Sequence, residues 1–420
     1  MELAGSGRLM EEWAMNAFFQ DLGRTVLARW KRVDFSLPEF PIIAQEALEK
    51  LPPAEHVDLR EFLCEFLRND EQPMQTDSGF GQPELVVYDH PRFYIQVLFW
   101  LDGTTAIHQH EFSGAFHVMA GSSIHAHFNF ENLHPINPHF RVGDVRMKTV
   151  ELLETGRTVP VFSGPEGIHS LFHLETPSVT VVVRTQNDPG TGPQFNYLPP
   201  HVAVDPDFSD ALTTRRKQLL DVLEMSGDSA YPELVREMLN ELDFERGFYI
   251  LQHCRPHLYS LCLWNEMLDL FASRHGERAS GVAASLEEAA RRDEIKELRS
   301  SITAPELRFF LALLLNAPAR TDFLALVKQR FSDMPPTKTV MSWVEEFVAV
   351  DEFGICILDA RFPEELDVPE EEQPEVMLMA FQYFLEEGGD LPAGLSSFSA
   401  SEQKMLRAAF ESSSLGILLA

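Results

Sequence analysis

Apolar positions in this chain change their spacing twice. From residue 8 to 33, Leu9, Trp13, Ala14, Phe18, Leu22, Val26 and Leu27 recur at three- and four-residue intervals, which predicts a helix. A second helical pattern runs from about Pro41 to Leu67 through Ile43, Ala47, Leu48, Leu51, Val57, Leu59, Phe62 and Phe66. Pro52-Pro53 should divide it, because proline has no amide hydrogen to donate and clashes with the preceding turn. Asn69 to Pro83 is polar and reads as a loop.

From Glu84 to about Tyr197 the pattern shortens to strand length, with turn residues between the runs. Strands are expected near 84–88, 93–101, 104–109, 114–121, 123–130, 145–153, 158–162, 168–174 and 178–185. Asn132 to Gly143, with two prolines, reads as a loop, and Asp188-Pro-Gly-Thr-Gly-Pro ends the β region. Nine short strands suit a small antiparallel barrel or jelly roll.

Beyond about Asp205 helical spacing returns, near 209–225, 230–242, 245–254, 258–274, 285–299, 304–316, 319–331, 337–349, 374–387 and 400–412. Ser285-x-x-Glu288 and Thr303-x-x-Glu306 have the form of capping boxes. Phe362 to Glu375 is an acidic, proline-broken connector that reads as a solvated loop, and no fixed repeat emerges. The expected fold class is α+β, in three parts: an N-terminal helical segment over 1–83 packed on a barrel over 84–204, then an all-helical acidic domain over 205–420.

Composition narrows the function. With 34 Lys+Arg against 65 Asp+Glu, the net charge of −31 repels nucleic acid and anionic lipid, so neither is an expected partner. No apolar run approaches the roughly 20 residues that span a bilayer. The N-terminus has no basic stretch followed by an apolar core. Four scattered cysteines (Cys64, Cys254, Cys262, Cys356) suit a reducing compartment, and the expected location is the cytoplasm.

The chemistry concentrates in Gly103-Thr-Thr-Ala-Ile-His108-Gln-His110 and the residues up to Gly121. Alternate residues of a strand share a face, so His108 and His110 project together and can chelate one divalent ion. A third imidazole stands in Gly164-Pro-Glu-Gly-Ile-His169, again beside β-like sequence.

These two segments resemble the paired motifs of the cupin superfamily, over roughly Tyr88 to Gln186. The glutamate of the first motif is missing, Gly114 and Ala115 standing in its place, and the three remaining histidines are similar to the thiol dioxygenase branch of that superfamily. The resemblance implies a mononuclear Fe(II) site of His108, His110 and His169 that uses O2 on a small-molecule substrate, though another divalent metal also suits three imidazoles. Other groups of that branch are absent. Ala115 stands at its cysteine, Val182, Arg184 and Gln186 stand near its Ser-His-Tyr set, and no arginine stands at Phe80 to Pro83. L-Cysteine is therefore not the expected substrate, and a related small thiol or small acidic metabolite is.

Two further residues are assigned catalytic roles. His117 shares the face of Ala115, which looks inward in the resembling family, and would tune proton traffic. Arg184 would clamp a substrate acid group, with Arg92, Arg141 and Arg146 as weaker options and Tyr88 and Tyr197 as candidates for the mouth. His125 and His127 repeat the His-x-His spacing without a matching third ligand, and His173 is a substitute ligand should the register differ. His253, Cys254, His257 and Cys262 match no common zinc spacing, and Pro256 suggests a helix junction. The stripes around Phe309, Phe310, Phe381 and Phe384 read as core, one face of which would dock on the barrel or on a protein partner. The competing reading is a non-catalytic metal- or ligand-binding scaffold whose helices recruit a protein or self-associate. A metal-dependent isomerase or lyase is the third.

Overall fold

The computed structural model describes residues 14–75, 80–101, 103–350, 360–387 and 391–420. The first predicted helix therefore lies partly outside the described residues. Among the described residues four N-terminal helices come first: α1 (Ala14–Arg32), α2 (Phe40–Lys50), α3 (Pro53–His56) and α4 (Leu59–Arg68). The proline pair makes the expected break. Pro52 is extended and ends the coil after α2, and Pro53 opens α3, where a missing amide hydrogen costs nothing. Asp58 caps α4 by accepting from the amide of Glu61.

Eleven strands follow: β1 (Glu84–His90), β2 (Phe93–Trp100), β3 (Ile107–His110), β4 (Gly114–Ala120), β5 (Ser123–Asn137), β6 (Phe140–Leu153), β7 (Thr158–Val161), β8 (Gly164–His173), β9 (Ser178–Thr185), β10 (Asn196–Leu198) and β11 (Val202–Val204). One sheet has the order β1-β2-β9-β4-β7, and the other closes on itself as β10-β11-β6-β5-β8-β3. Leu98, Trp100, Phe116, Leu153, Leu171 and Val182 meet between the two sheets.

Nine of these strands were legible in the sequence, and two expectations about the connections fail. The stretch 132–143 is not a loop, because β5 and β6 continue through it as a long hairpin. Its register shifts between Glu131 and His134 and again between Pro135 and Asn137, and such irregularities are where a strand accommodates proline. The hairpin β10–β11, turning at Pro199-Pro200, was hidden by its prolines, yet it closes the barrel by pairing with β3 and β6.

Both sheets are covered on their outer faces. On β2, Phe93, Ile95, Val97 and Phe99 face the N-terminal helices, while Leu98 and Trp100 face inward. Helix α1 approaches so closely that a Cβ on Gly23 would sit 2.5 Å from the Tyr88 ring.

The described C-terminal α-helices are α5 (Ala211–Met225), α6 (Tyr231–Glu241), α7 (Phe244–Ser260), α8 (Trp264–His275), α9 (Val282–Ser301), α10 (Pro305–Asn316), α11 (Arg320–Arg330), α12 (Pro336–Val350), α13 (Gln373–Leu385) and α14 (Ala400–Glu411). The closed sheet receives Phe309, Phe310 and Leu313 of α10 against Ile124, Leu152 and Phe172. Elsewhere Phe140, Val142 and Val202 bury against Phe244 and Phe248 of α7. No described helix is long and apolar enough to cross a membrane. Neither predicted capping box forms. Ser285 lies inside α9 and accepts from the amide of His201, and α10 starts from Ala304 without a side-chain cap. A reciprocal box forms instead at Ser399 and Glu402. Pro256 lies within α7 rather than at a junction.

Candidate metal centre

Strand register assembles the three histidines. His108 on β3 is the direct partner of His169 on β8, and a bulge between His108 and His110 sets His110 opposite Gly164. Strand β8 also needs Gly167, where a Cβ would fall 1.9 Å from the carbonyl oxygen of Phe162. The result is a buried cluster in which one ring nitrogen of each of His108, His110 and His169 lies within 4.8 Å of the others. His110 Nε2 and His169 Nε2 are 2.8 Å apart.

A backbone carbonyl behind His108 fixes its free nitrogen, and a fourth imidazole sits behind His169. His108 Nδ1 lies 2.8 Å from the carbonyl oxygen of Ala106, a pure acceptor, so the proton sits on Nδ1. His108 Nε2 is then an acceptor without a partner in a buried cluster. His169 Nδ1 lies 2.9 Å from His125 Nε2, while its Nε2 faces His110 Nε2 on the inner side. Burial pushes the pKa of His108 down and those of His110 and His169 well down, with the neighbouring imidazoles adding to the effect. Three neutral imidazoles whose ring nitrogens converge are the donor set a divalent transition metal takes, an ion replacing the proton that His110 Nε2 and His169 Nε2 otherwise share, with positions left open for other ligands.

A fourth and fifth imidazole extend the cluster. His127 on β5 is the direct partner of His169, and His125 is the direct partner of Glu151 on β6. His125 Nδ1 faces Glu151 Oε1 at 3.4 Å. The His125 imidazole helps hold the Glu151 carboxyl below the usual range. His125, His127 and Glu151 form a second group with ligand spacing, and the third member that the sequence did not supply is therefore Glu151.

The triad opens into a small cavity of about 30 Å³, walled mainly by Leu98, Trp100, Phe112, Phe116, Leu171 and Val182. Phe112 packs on His110 with ring centroids 4.4 Å apart. Gln96 on β2 also lines it.

The other sequence candidates are placed differently. His117 does not reach the triad. The strand pleat turns Ala115 and Met119 toward the N-terminal helices and Phe116 and Val118 into the barrel, so His117 points outward with Ala115. There its Nδ1 lies 2.8 Å from Thr158 Oγ1, and its Nε2 accepts from the amide of Ala54 at 3.4 Å. Arg184 sits on the inner side of β9, but its guanidinium lies over Phe112 at 3.4 Å and donates to the carbonyl oxygens of Thr185 and Gln186. It stands behind the cavity wall.

Tyr197 is buried, donating to Gln109 Oε1 at 2.6 Å, and Tyr88 packs under α1, so neither lines a mouth. Arg92 and Arg141 lie over Phe35 and Phe195, and Arg146 is exposed beside Glu131. His173 stacks on Trp100 at 4.6 Å and bonds Ser123 Oγ through Nδ1. His253 and His257 pair with Asp221 and Glu224, Cys254 is buried, and Cys262 is exposed, so no zinc cluster forms there.

No protein-family model and no curated protein sequence matches the chain. Among solved structures there is a likeness to hydroquinone 1,2-dioxygenase from Sphingomonas sp. TTNP3 with 4-hydroxybenzoate bound. It has 13% sequence identity, covers 26% of this chain and 69% of that one, and has a TM-score of 0.21.

Proposed function

We propose that the chain is a cupin-type, mononuclear non-haem iron oxygenase acting on a small thiol or a comparable small metabolite, with His108, His110 and His169 as the metal ligands. One observation carries this reading: the nitrogens of three buried, neutral imidazoles converge at the wall of an apolar cavity, and a carbonyl and a fourth imidazole sit behind two of the rings. Iron(II) would supply the one-electron chemistry that lets O2 react with a closed-shell substrate.

The protein's own part is positional. Ala106 and His125 hold two rings in the tautomer that offers Nε2 inward. Phe112, Phe116, Trp100 and Leu171 keep bulk water from the reacting side. Arg184 braces Phe112 by lying on its outer face, so its part is to hold the wall rather than to clamp an acid group. His117 ties β4 to the N-terminal helices through Ala54. O2 and the substrate are the partners this chemistry requires.

The test is the metal content of anaerobically purified protein together with O2 uptake over a panel of small thiols. Near-stoichiometric iron and thiol-dependent uptake, both lost in His108→Ala, are expected. Metal-free wild-type protein would defeat the reading.

A further inference from the structure

Gln96 is fully buried, and neither its amide nitrogen nor its amide oxygen has a hydrogen-bond partner. It lies on β2 opposite Val182 of β9, on the inward side with Leu98 and Trp100, in the wall of the cavity that the three histidines share. A primary amide brings two donor hydrogens and two acceptor lone pairs, and native interiors seldom leave such a group unmet. No described neighbour in the wall satisfies it. Thr180, the residue two before Val182, is engaged by the indole N–H of Trp100, and Thr105 bonds the carbonyl of Leu171. A polar side chain buried without a protein partner at the edge of a ligand cavity is a group whose partner arrives with the ligand.

The rest of the cavity says what that ligand carries. Among the described residues its lining contains no carboxylate, ammonium or guanidinium, and the nearby Arg184 is spent on Phe112 and two backbone carbonyls. Burying an ionised group there without a counter-charge is costly, save for an atom bound directly to a metal. Resting on the reading that the triad holds a metal, we propose that Gln96 is the group that selects the substrate. The substrate is a small molecule that presents an ionisable S–H or O–H to the metal. A few atoms away it carries a neutral group that both donates and accepts a hydrogen bond, such as a hydroxyl or a primary amide. The part of the molecule beyond the metal-bound atom is uncharged.

The test uses the full-length protein loaded with Co(II), whose thiolate-to-cobalt absorption reads ligation without turnover. The probes share one frame and differ at the tip: 2-mercaptoethanol, 3-mercaptopropionamide, 1-propanethiol, 3-mercaptopropionate and cysteamine. The hydroxyl and amide probes should bind about tenfold more tightly than 1-propanethiol, the gain expected of a satisfied buried amide, and more tightly than the two charged probes. In Gln96→Leu that preference should collapse to within about twofold through weaker binding of the hydroxyl and amide probes. Cobalt content should not change. The metal-free variant should melt no lower than wild type, because an unmet amide has been replaced by a side chain that needs no partner. In Gln96→Glu the preference should move to cysteamine.

Several results would overturn the assignment: 3-mercaptopropionate binding most tightly, a preference unchanged in Gln96→Leu, or cobalt lost from Gln96→Leu, which would make Gln96 a metal ligand. Wild-type protein that binds neither cobalt nor iron would remove the metal reading and this one together. Cobalt bound without preference among the probes would remove this one alone.

Discussion

His125 Nε2 lies 2.9 Å from Nδ1 of His169, and the other nitrogen of His125 faces Glu151. The pairing settles where protons sit when His169 holds a metal. His169 must then keep its proton on Nδ1 and donate it to His125 Nε2, so His125 carries its own proton on Nδ1, toward Glu151. His125 cannot in that state offer Nδ1 to an ion shared with His127 and Glu151. About one metal per chain is expected by elemental analysis, and two would show that the second group binds independently. Removing the orienting imidazole in His125→Ala should weaken metal binding roughly 10- to 100-fold in a chelator competition. Equal affinity in the variant would mean that the cluster does not orient His169.

Metal binding should also appear as stability. An ion that binds only the folded chain stabilises it by about 4 kcal/mol when its free concentration is a thousand times Kd. Chelation should therefore lower the melting temperature of wild-type protein. His108→Ala should already melt near the chelated value and respond little to chelator, since it lacks the proposed ligand whose Nε2 has no other partner. A variant still protected by added iron would place the site elsewhere.

The parts of this site differ in how they could be read from sequence. His108 and His110 were legible because a two-residue spacing puts both on one face whatever the strand's neighbours are. Glu151 was not, because it meets His125 only through the register of β5 against β6. His117 was assigned the wrong side. Small Ala115 packs against helices there, not against the cavity, and a strand buried on both faces gives no polar alternation to fix its pleat. Gln96 had one visible signal, a lone amide in the apolar run Phe93 to Trp100, every residue of which is buried. The helices of the C-terminal half were plain from their spacing, whereas β10 and β11 were masked by Pro199 and Pro200.

The buried imidazoles make an acid-labile fold. Burial pushes His117 down to about 4, and burial with the nearby Arg299 pushes His173 down to about 3. In the unfolded chain both protonate near the ordinary value of about 6.5. Below that pH the unfolded state takes up protons that the folded state refuses, so stability falls as pH falls. The contribution of the two groups is complete above about pH 6.5 and is lost progressively toward pH 4 and then 3. Urea unfolding of chelated protein at pH 7.5 and 5.0 should show a smaller loss in His117→Gln than in wild type. Identical losses would show that His117 titrates normally in the folded chain.

The helical half is fastened to the barrel beside the site through Arg299 of α9. Its side chain is almost fully buried, and both Nε and a terminal nitrogen donate to the carbonyl oxygen of His173, at 3.1 and 2.7 Å. The guanidinium also lies near the face of Phe172, 5.4 Å from the ring centre. His173 in turn stacks on Trp100, a wall of the cavity. A buried charge held by a carbonyl oxygen and an aromatic ring is costly to strand but also costly to remove, because the carbonyl loses its donors. Arg299→Met keeps the length and apolar bulk of the side chain while taking away the donors. It should cost about 1–3 kcal/mol in urea unfolding, the penalty of an unmet buried carbonyl. Trp100 fluorescence is masked by the other tryptophans, so the structural readout is hydrogen exchange at the end of β8. Faster exchange at His173 with metal still bound would place the loss at the barrel–helix joint. An unchanged unfolding curve would mean that the apolar packing of α7 and α10 on the barrel holds the two halves together without it.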